Sequence, residues 1–474
     1  MTFLRFRHRF FIGLMLLSFT TKAQQKQPNI LFCIADDWGK HAGVYGDKVI
    51  RVPTFDRIAQ AGVLFTNAYC GSPSCTPSRA TVLTGRYPHQ NEESGNLWST
   101  LQTKLPNFAT LLAQNGYHVG LQGKGWGPGD FKVGGYEFNP AGKNYKNFNE
   151  FLAKRTDKQP FFFWFGSADP HRPYEKGTGK AAGMNPDEVK VPKDFPDTPG
   201  VRNDILDYYY EAQRFDREVG ELIKKLESMG ELENTLIVIT SDNGMPFPRA
   251  KANLYDAGTN LPLAVFWKGH IKQQRTDTFM SFADFAPTFL ETASLGVPKE
   301  MTGKSLWPLL NQKTKVHRNE VFLERERHAS VRPDNHSYPM RAVRTKDFLY
   351  IQNLAPDRWP AGDPFGQTAP RRYGDVDDGP TKSVILQDTI KHSFYYQLAF
   401  AKRPSEELYD LQKDPNQHVN VATKKEYQKV KKQLEGQLTA WRKTTQDPRI
   451  EGKTPFESYP YYGNNSTEKL INKK

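Results

Sequence analysis

Cys75-Thr76-Pro77-Ser78-Arg79-Ala80-Thr81-Val82-Leu83-Thr84-Gly85-Arg86 is the most informative run in the chain. Pro77 suits the first turn of a helix, where its missing N–H would have no partner in any case. Cys75 then stands just before a helix N-terminus, where free backbone donors and the helix dipole favour an anion. Arg79 lies one turn further on and points its fork at the same spot. Taken alone, the run also fits a buried cysteine ahead of an ordinary helix, because free cysteines are mostly inert packing residues. The segments around it decide between the two.

Working outward, apolar runs alternate with helical patterns, which argues for an α/β sheet. Residues 29–35, 161–165 and 236–240 read as buried strands. Thr54 can cap a short helix that carries Phe55, Ile58 and Ala59 and stops at Gly62. Residues 107–115 are helical up to Gly116. A long helix over 204–229 places Tyr208, Ala212, Phe215, Val219, Leu222, Ile223 and Leu226 on one face. From about residue 340 the pattern changes. Residues 341–344 and 348–352 read as antiparallel strands, followed by a Pro/Gly-rich stretch over 355–380 and then by Glu407-Leu408-Tyr409-Asp410-Leu411, with Asp414-Pro415 as a turn. A last helix carries Tyr427, Val430, Leu434, Leu438 and Trp441. The expected fold class is α/β: a large mixed sheet sandwiched by helices, with a smaller C-terminal antiparallel sheet and a covering helix.

In open α/β sheets, ligands bind outside the carboxyl ends of the strands. The first strand runs into Asp36-Asp37, the second leads to Asp169-Pro170-His171, and the third runs into Asp242-Asn243. Each pair alone is ordinary turn chemistry. An acidic pair and a near-pair at the mouths of apolar strands are costly, however, unless a cation lies between them. Oxygen ligands without a His or Cys cluster favour a hard cation, Ca²⁺ or Mg²⁺.

Taken together, these motifs resemble those of the formylglycine-dependent sulfatases of the alkaline phosphatase-like superfamily. The resemblance runs from about Pro28 to Pro448. It implies that a dedicated maturation enzyme oxidises Cys75 to 3-oxoalanine (formylglycine), whose hydrated form attacks sulfur. It implies a Ca²⁺ site, with Mg²⁺ second, made by Asp36, Asp37, Asp242, Asn243 and the converted Cys75. Gly123-Lys124-Gly125 and Lys251-Ala252-Asn253-Leu254-Tyr255 match the family's two sulfate-binding lysines, Lys124 and Lys251. Arg79 would join them, and His171 would protonate the leaving atom. Within the family, Ser241 to Pro248, Asn253-Leu254-Tyr255, Ser337-Tyr338-Pro339-Met340-Arg341 and Glu407-Leu408-Tyr409-Asp410 resemble the heparan N-sulfatase (sulfamidase) subgroup. Two positions depart from it. Trp126 stands where the family has a histidine that helps expel sulfate, which leaves a sugar platform as its alternative role. Lys251 stands where the subgroup carries arginine.

The remaining features bound the function. The chain has 474 residues, ample for a large core and a second unit. Residues 1–23 read as an export signal: Arg5, Arg7 and Arg9, then a short apolar run, then Thr21-Lys22-Ala23. That run is too short to span a membrane. The expected organisation is signal 1–23, catalytic α/β unit 24–340 and smaller α+β unit 341–474, in a periplasmic or secreted protein. The formal net charge is +13, or about +9 without the signal (61 basic against 52 acidic residues), which suits an anionic polymer. The basic residues are scattered and no nucleic-acid motif accompanies them, so nucleic acid is not the expected partner. The expected substrate is a sulfated oligosaccharide or polysaccharide: N-sulfoglucosamine of heparin-like chains, or O-sulfated algal polysaccharide such as ulvan. The competing classes are a phosphate or phosphonate ester hydrolase of the same superfamily and a non-catalytic glycan binder. Arg and His residues within 328–341 are candidates for reading the sugar. Cys33 reads as core, and a Cys33–Cys70 bridge stays open.

Overall fold

A computed structural model describes residues 27–366 and 371–463; the expected signal at 1–23 lies outside the described residues. The larger sheet contains β1 (Asn29–Ala35), β2 (Val63–Tyr69), β3 (His118–Gly123), β4 (Lys143–Asn144), β5 (Phe161–Gly166), β6 (Thr235–Ser241), β7 (Asn260–Phe266) and β8 (Gln274–Ser281). Their order is β4-β3-β5-β1-β6-β7-β2-β8. Pairing is parallel from β4 through β6. β7 is antiparallel to both its neighbours, and β2 and β8 are parallel. The sheet is therefore mixed, as the alternating pattern implied.

Successive side chains of a strand point to opposite faces, and here both faces are covered. Ile30, Phe32 and Ile34 of β1 enter a core shared with the helices Cys75–Thr84, Phe108–Gln114 and Phe285–Thr292. Leu31, Cys33 and Ala35 enter another, shared with the helices Pro53–Ala61 and Pro199–Ser228. Double coverage explains the unbroken apolar run Phe161-Phe162-Phe163-Trp164-Phe165, buried throughout. It also separates Cys33 from Cys70: they lie in opposite cores, both as free thiols.

Two helix starts differ from the expectation. The long helix begins at Pro199, because Thr198 caps it by accepting from Val201 N at 3.3 Å and Pro199 occupies the first turn. The short helix begins at Pro53, and Thr54 does not cap it. Asp216 of the long helix accepts from Thr54 N at 3.0 Å and Phe55 N at 2.7 Å, so the cap comes from across the fold.

The smaller sheet is antiparallel, ordered β12-β11-β10-β9, from β9 (Glu320–Arg325), β10 (Met340–Thr345), β11 (Phe348–Asn353) and β12 (Glu406–Asp410). Leu434, Leu438 and Trp441 of the helix Gln428–Thr444 cover it. β9 pairs with β10 along its whole length, so this sheet begins before residue 341, and a division after residue 340 would cut off β9 and the first residue of β10. Arg341 binds Asp447 at 2.9 Å and Glu326 at 2.7 Å, which ties the C-terminal segment to this sheet. Among the described residues no helix is long and apolar enough to cross a membrane.

Candidate active site

β5, β1 and β6 are adjacent and parallel, so their carboxyl ends open on one edge. Asp36 and Asp37 leave β1, Asp169 to His171 follow β5, and Asp242 and Asn243 leave β6. Asp37 adopts a positive φ of 75°, a left-handed conformation that Asp tolerates better than most residues. The helix Cys75–Thr84 aims its N-terminus at the same edge. It begins at Cys75 itself, with Ser74 in the cap position, one residue earlier than expected. Lys124 follows β3, where its carbonyl lies so close to Gly166 that a Cβ there would overlap it.

All five proposed metal ligands and all three proposed cations meet here. Arg79 Nε donates to Asp242 Oδ2 at 2.8 Å, and Arg79 Nη1 donates to the carbonyls of Lys124 (2.7 Å) and Gly125 (2.9 Å). Arg79 Nη2 lies 3.6 Å from Asp36 and, although buried, has no hydrogen-bond partner. Lys124 Nζ spans both oxygens of Asp36 at 2.8 and 2.7 Å, and Lys251 Nζ reaches Asp37 Oδ2 at 2.7 Å. Cys75 Sγ lies 3.4 Å from Asp36 Oδ1. Ligand atoms of Asp36, Asp37, Cys75 and Asp242 lie within 4.8 Å of one another.

These residues fit a hard divalent cation. Asn243 Nδ2 donates to Asp37 Oδ1 at 2.7 Å, while its Oδ1 is buried without a partner. A buried orphan acceptor costs about 1–3 kcal/mol, and a cation beside it would satisfy it. Three carboxylates and an amide oxygen form an oxygen-rich set of the kind Ca²⁺ and Mg²⁺ take.

Three buried acids face two buried bases, Arg79 and Lys251, and the half-buried Lys124. Burial alone would raise the Asp36 carboxyl, but Lys124, His171 and Arg79 outweigh it and hold it well below its usual range. Asp242 goes the other way: burial pushes it up to about 6 against the pull of Arg79. Burial works against charge on Lys124 and Lys251, yet Asp36 and Asp37 respectively keep both above the usual lysine range. Burial and Asp36 push the Cys75 thiol well up, so as a cysteine it holds its proton.

His171 stands on the loop after β5. Its Nδ1–H donates to the Arg172 carbonyl at 2.6 Å, which leaves Nε2 facing the site, 3.8 Å from Asp37 Oδ2. Its side chain is 36 % exposed, against 5 % or less for Lys251, Asp36 and Asp37, so it lies at the mouth.

Several sequence expectations are corrected here. Trp126 is completely buried, with Nε1 donating to Ser94 Oγ at 3.0 Å, so it cannot serve as a sugar platform. Arg332 is bound to Asp375, and Arg341 to Glu326 and Asp447, so neither arginine is free to read a sugar. His328 is buried beside the nucleophile helix, 2.8 Å from Ser74 Oγ, and burial lowers its pKa to about 3. Asp377 was missed altogether. It comes from the Pro/Gly-rich stretch and lies 3.2 Å from Lys251 Nζ, with a carboxylate oxygen within 4.8 Å of ligand atoms of Asp37 and His171. That stretch has no periodicity; only the acidic string Asp375-Val376-Asp377-Asp378 marks it.

Comparison with known proteins adds the following. The family model described as Sulfatase matches residues 28–295. That of the N-sulphoglucosamine sulphohydrolase C-terminal region matches residues 249–363. The chain is 30 % identical to human N-sulphoglucosamine sulphohydrolase, over 89 % of this chain and 91 % of that protein. It is 27 % identical to an ulvan-active sulfatase of Formosa agariphila, over 88 % and 75 %. A protein solved in complex with its substrate D-glucosamine-2-N,6-O-disulfate superposes with a TM-score of 0.65 at 21 % identity, over 89 % of this chain and 99 % of that one. At that identity the likeness speaks for the fold.

Proposed function

The chain belongs to the sulfatase family, and on that premise we propose that this sulfuric ester or sulfamate hydrolase is exported and removes sulfate from glycan saccharides, with N-sulfoglucosamine of heparin-like chains as the leading substrate. The observation that carries this reading is the convergence of Cys75 with three acids and three bases on one strand edge. The match of residues 249–363 to the N-sulphoglucosamine sulphohydrolase C-terminal region favours an N-sulfated sugar. The ulvan-active relative keeps an O-sulfated algal polysaccharide as the second reading.

Asp36, Asp37, Asp242, Asn243 and the converted residue 75 would hold Ca²⁺. When present, formylglycine would supply the hydrated-aldehyde nucleophile, and the ion would supply positive charge for the sulfonyl oxygens. The chain's own residues do the rest. Arg79, its fork fixed by Asp242 and two carbonyls, offers its unpartnered Nη2 to the anion. Lys124 and Lys251 add charge, each seated on its own carboxylate, Asp36 and Asp37. A dication on the carboxylates and an anion on the bases satisfy both sets at once, which is how so charged a site stays buried. His171, with Nδ1–H tied to the Arg172 carbonyl, presents Nε2 to the leaving oxygen or nitrogen and, as the doubly protonated imidazolium, donates the Nε2 proton there.

The test is sulfate release from a panel of heparin disaccharides and ulvan oligosaccharides, using protein matured in a host that oxidises Cys75. Release from N-sulfated glucosamine supports the leading substrate. Release only from O-sulfated sugars moves the protein to algal polysaccharide, and release from none refutes the glycan reading.

A further inference from the structure

The 371–381 segment is pinned on both sides of Asp377. Before it, Asp375 is gripped by Arg325 and by Arg332 Nη2 at 2.5 Å, and it accepts from Ala329 N at 3.0 Å. The Val376 carbonyl accepts from Lys382 Nζ at 2.8 Å. After it, Gly379 lies against the Arg172 guanidinium with no room for a Cβ, and Thr381 donates to Asp204 through N (3.1 Å) and Oγ1 (2.7 Å). A loop carboxylate held this firmly is preorganised. Its Oδ2 is buried and, among the described residues, has no hydrogen-bond partner, only the Lys251 ammonium 3.2 Å away. The side chain keeps 25 % exposure, carried by its atoms other than Oδ2, and a ligand can reach the carboxylate there.

A negative charge beside a sulfate pocket does nothing to bind the sulfate. Asp377 stands outside Lys251 and next to His171, on the side where the leaving group would lie. There it meets whatever group neighbours the scissile sulfate on the substrate. We propose that Asp377 is a specificity-determining residue whose carboxylate accepts a hydrogen bond from a hydroxyl or N–H adjacent to the scissile sulfate and rejects substrates carrying a second anion at that position. A buried polar group left unpaired by the wrong substrate discriminates more strongly than apolar contact, and like charge at close range adds repulsion. The proposal rests on the assignment of Lys251 and His171 to the sulfate and leaving-group positions.

The test uses two matched pairs: glucosamine N-sulfate against glucosamine 2-N,3-O-disulfate, and 4-nitrocatechol sulfate against 4-nitrophenyl sulfate. Wild type and Asp377→Ala are compared at known formylglycine content. In whichever pair wild type turns over, Asp377→Ala should lower kcat/KM by about tenfold or more on the member with the free neighbouring hydroxyl, the scale of one charge-assisted hydrogen bond, while changing it by less than about threefold on 4-nitrophenyl sulfate and raising it on the 2-N,3-O-disulfate, whose second anion is no longer repelled. Both members meet the same protein, so partial misfolding cancels from the ratio. Equal losses on both members, or no loss on either, overturn the proposal. Sulfate release by converted wild type from no member of either pair overturns the underlying site assignment instead.

Discussion

Arg79→Met keeps much of the buried volume of Arg79 and removes its charge. Arg79 is fully buried, with Nε 2.8 Å from Asp242 Oδ2 and two carbonyls on Nη1. At an effective dielectric of about 20 the pair alone attracts by about 6 kcal/mol. Removing one partner of a buried pair costs about 3–5 kcal/mol in practice, because the other charge is left behind. We take about 4 kcal/mol. With about 2.1 cal/mol/K of unfolding entropy per residue over roughly 450 residues, that lowers the melting temperature by about 4 °C. The assay is thermal unfolding of the unconverted Cys75 protein in EDTA, wild type against variant at one scan rate. Repeating it in Ca²⁺ adds a second reading. Asp242 without Arg79 is a more basic cation ligand, so Ca²⁺ should raise the variant's melting temperature further than that of wild type. A fall below about 1 °C in EDTA, with no extra response to Ca²⁺, would refute the claim that Arg79 and Asp242 are the central charge pair of this site.

Other outcomes follow from the same geometry. Cys75→Ala should abolish sulfate release while melting close to wild type, and normal turnover in that variant would remove the formylglycine scheme. Exhaustive chelation of the matured protein should abolish activity; recovery with Mg²⁺ equal to that with Ca²⁺ would count against calcium as the resident ion. Trp126→Ala should cost about 3–5 kcal/mol in stability, and a raised KM with an unchanged melting temperature would return Trp126 to the substrate. Asp216 gives a pH signature, since burial pushes its carboxyl up to about 6. The folded state therefore holds that proton more tightly than the unfolded chain, whose carboxyl titrates at about 3.9. The stability Asp216 contributes is full below about pH 4 and is lost as pH rises through about 6. Asp216→Asn does not titrate, so by urea unfolding the margin of wild type over variant should shrink by roughly 2–3 kcal/mol between pH 4 and pH 7.5; a constant margin would contradict this.

The amino-acid sequence by itself determined whatever depends on neighbours along the chain. The apolar runs at 29–35, 161–165 and 236–240 became central strands because double burial requires unbroken hydrophobic segments. Asn107 at the start of a helix and Pro77 in the first turn after Cys75 are local conformational choices, legible within a few residues. The acid pairs at strand ends and the Cys75 run were legible for the same reason. Only the tertiary structure decided which acid seats which base: Asp36 with Lys124, Asp37 with Lys251, Asp242 with Arg79. Those partners are 88, 214 and 163 residues apart, and their meeting depends on the strand order β3-β5-β1-β6. Asp216 as the cap of a distant helix, the burial of Trp126, the entry of β9 into the smaller sheet and the arrival of Asp377 at the mouth of the site belong to the same class. Periodicity and turn chemistry report local backbone preference, whereas the position of a loop side chain is set by contacts with residues far away in sequence.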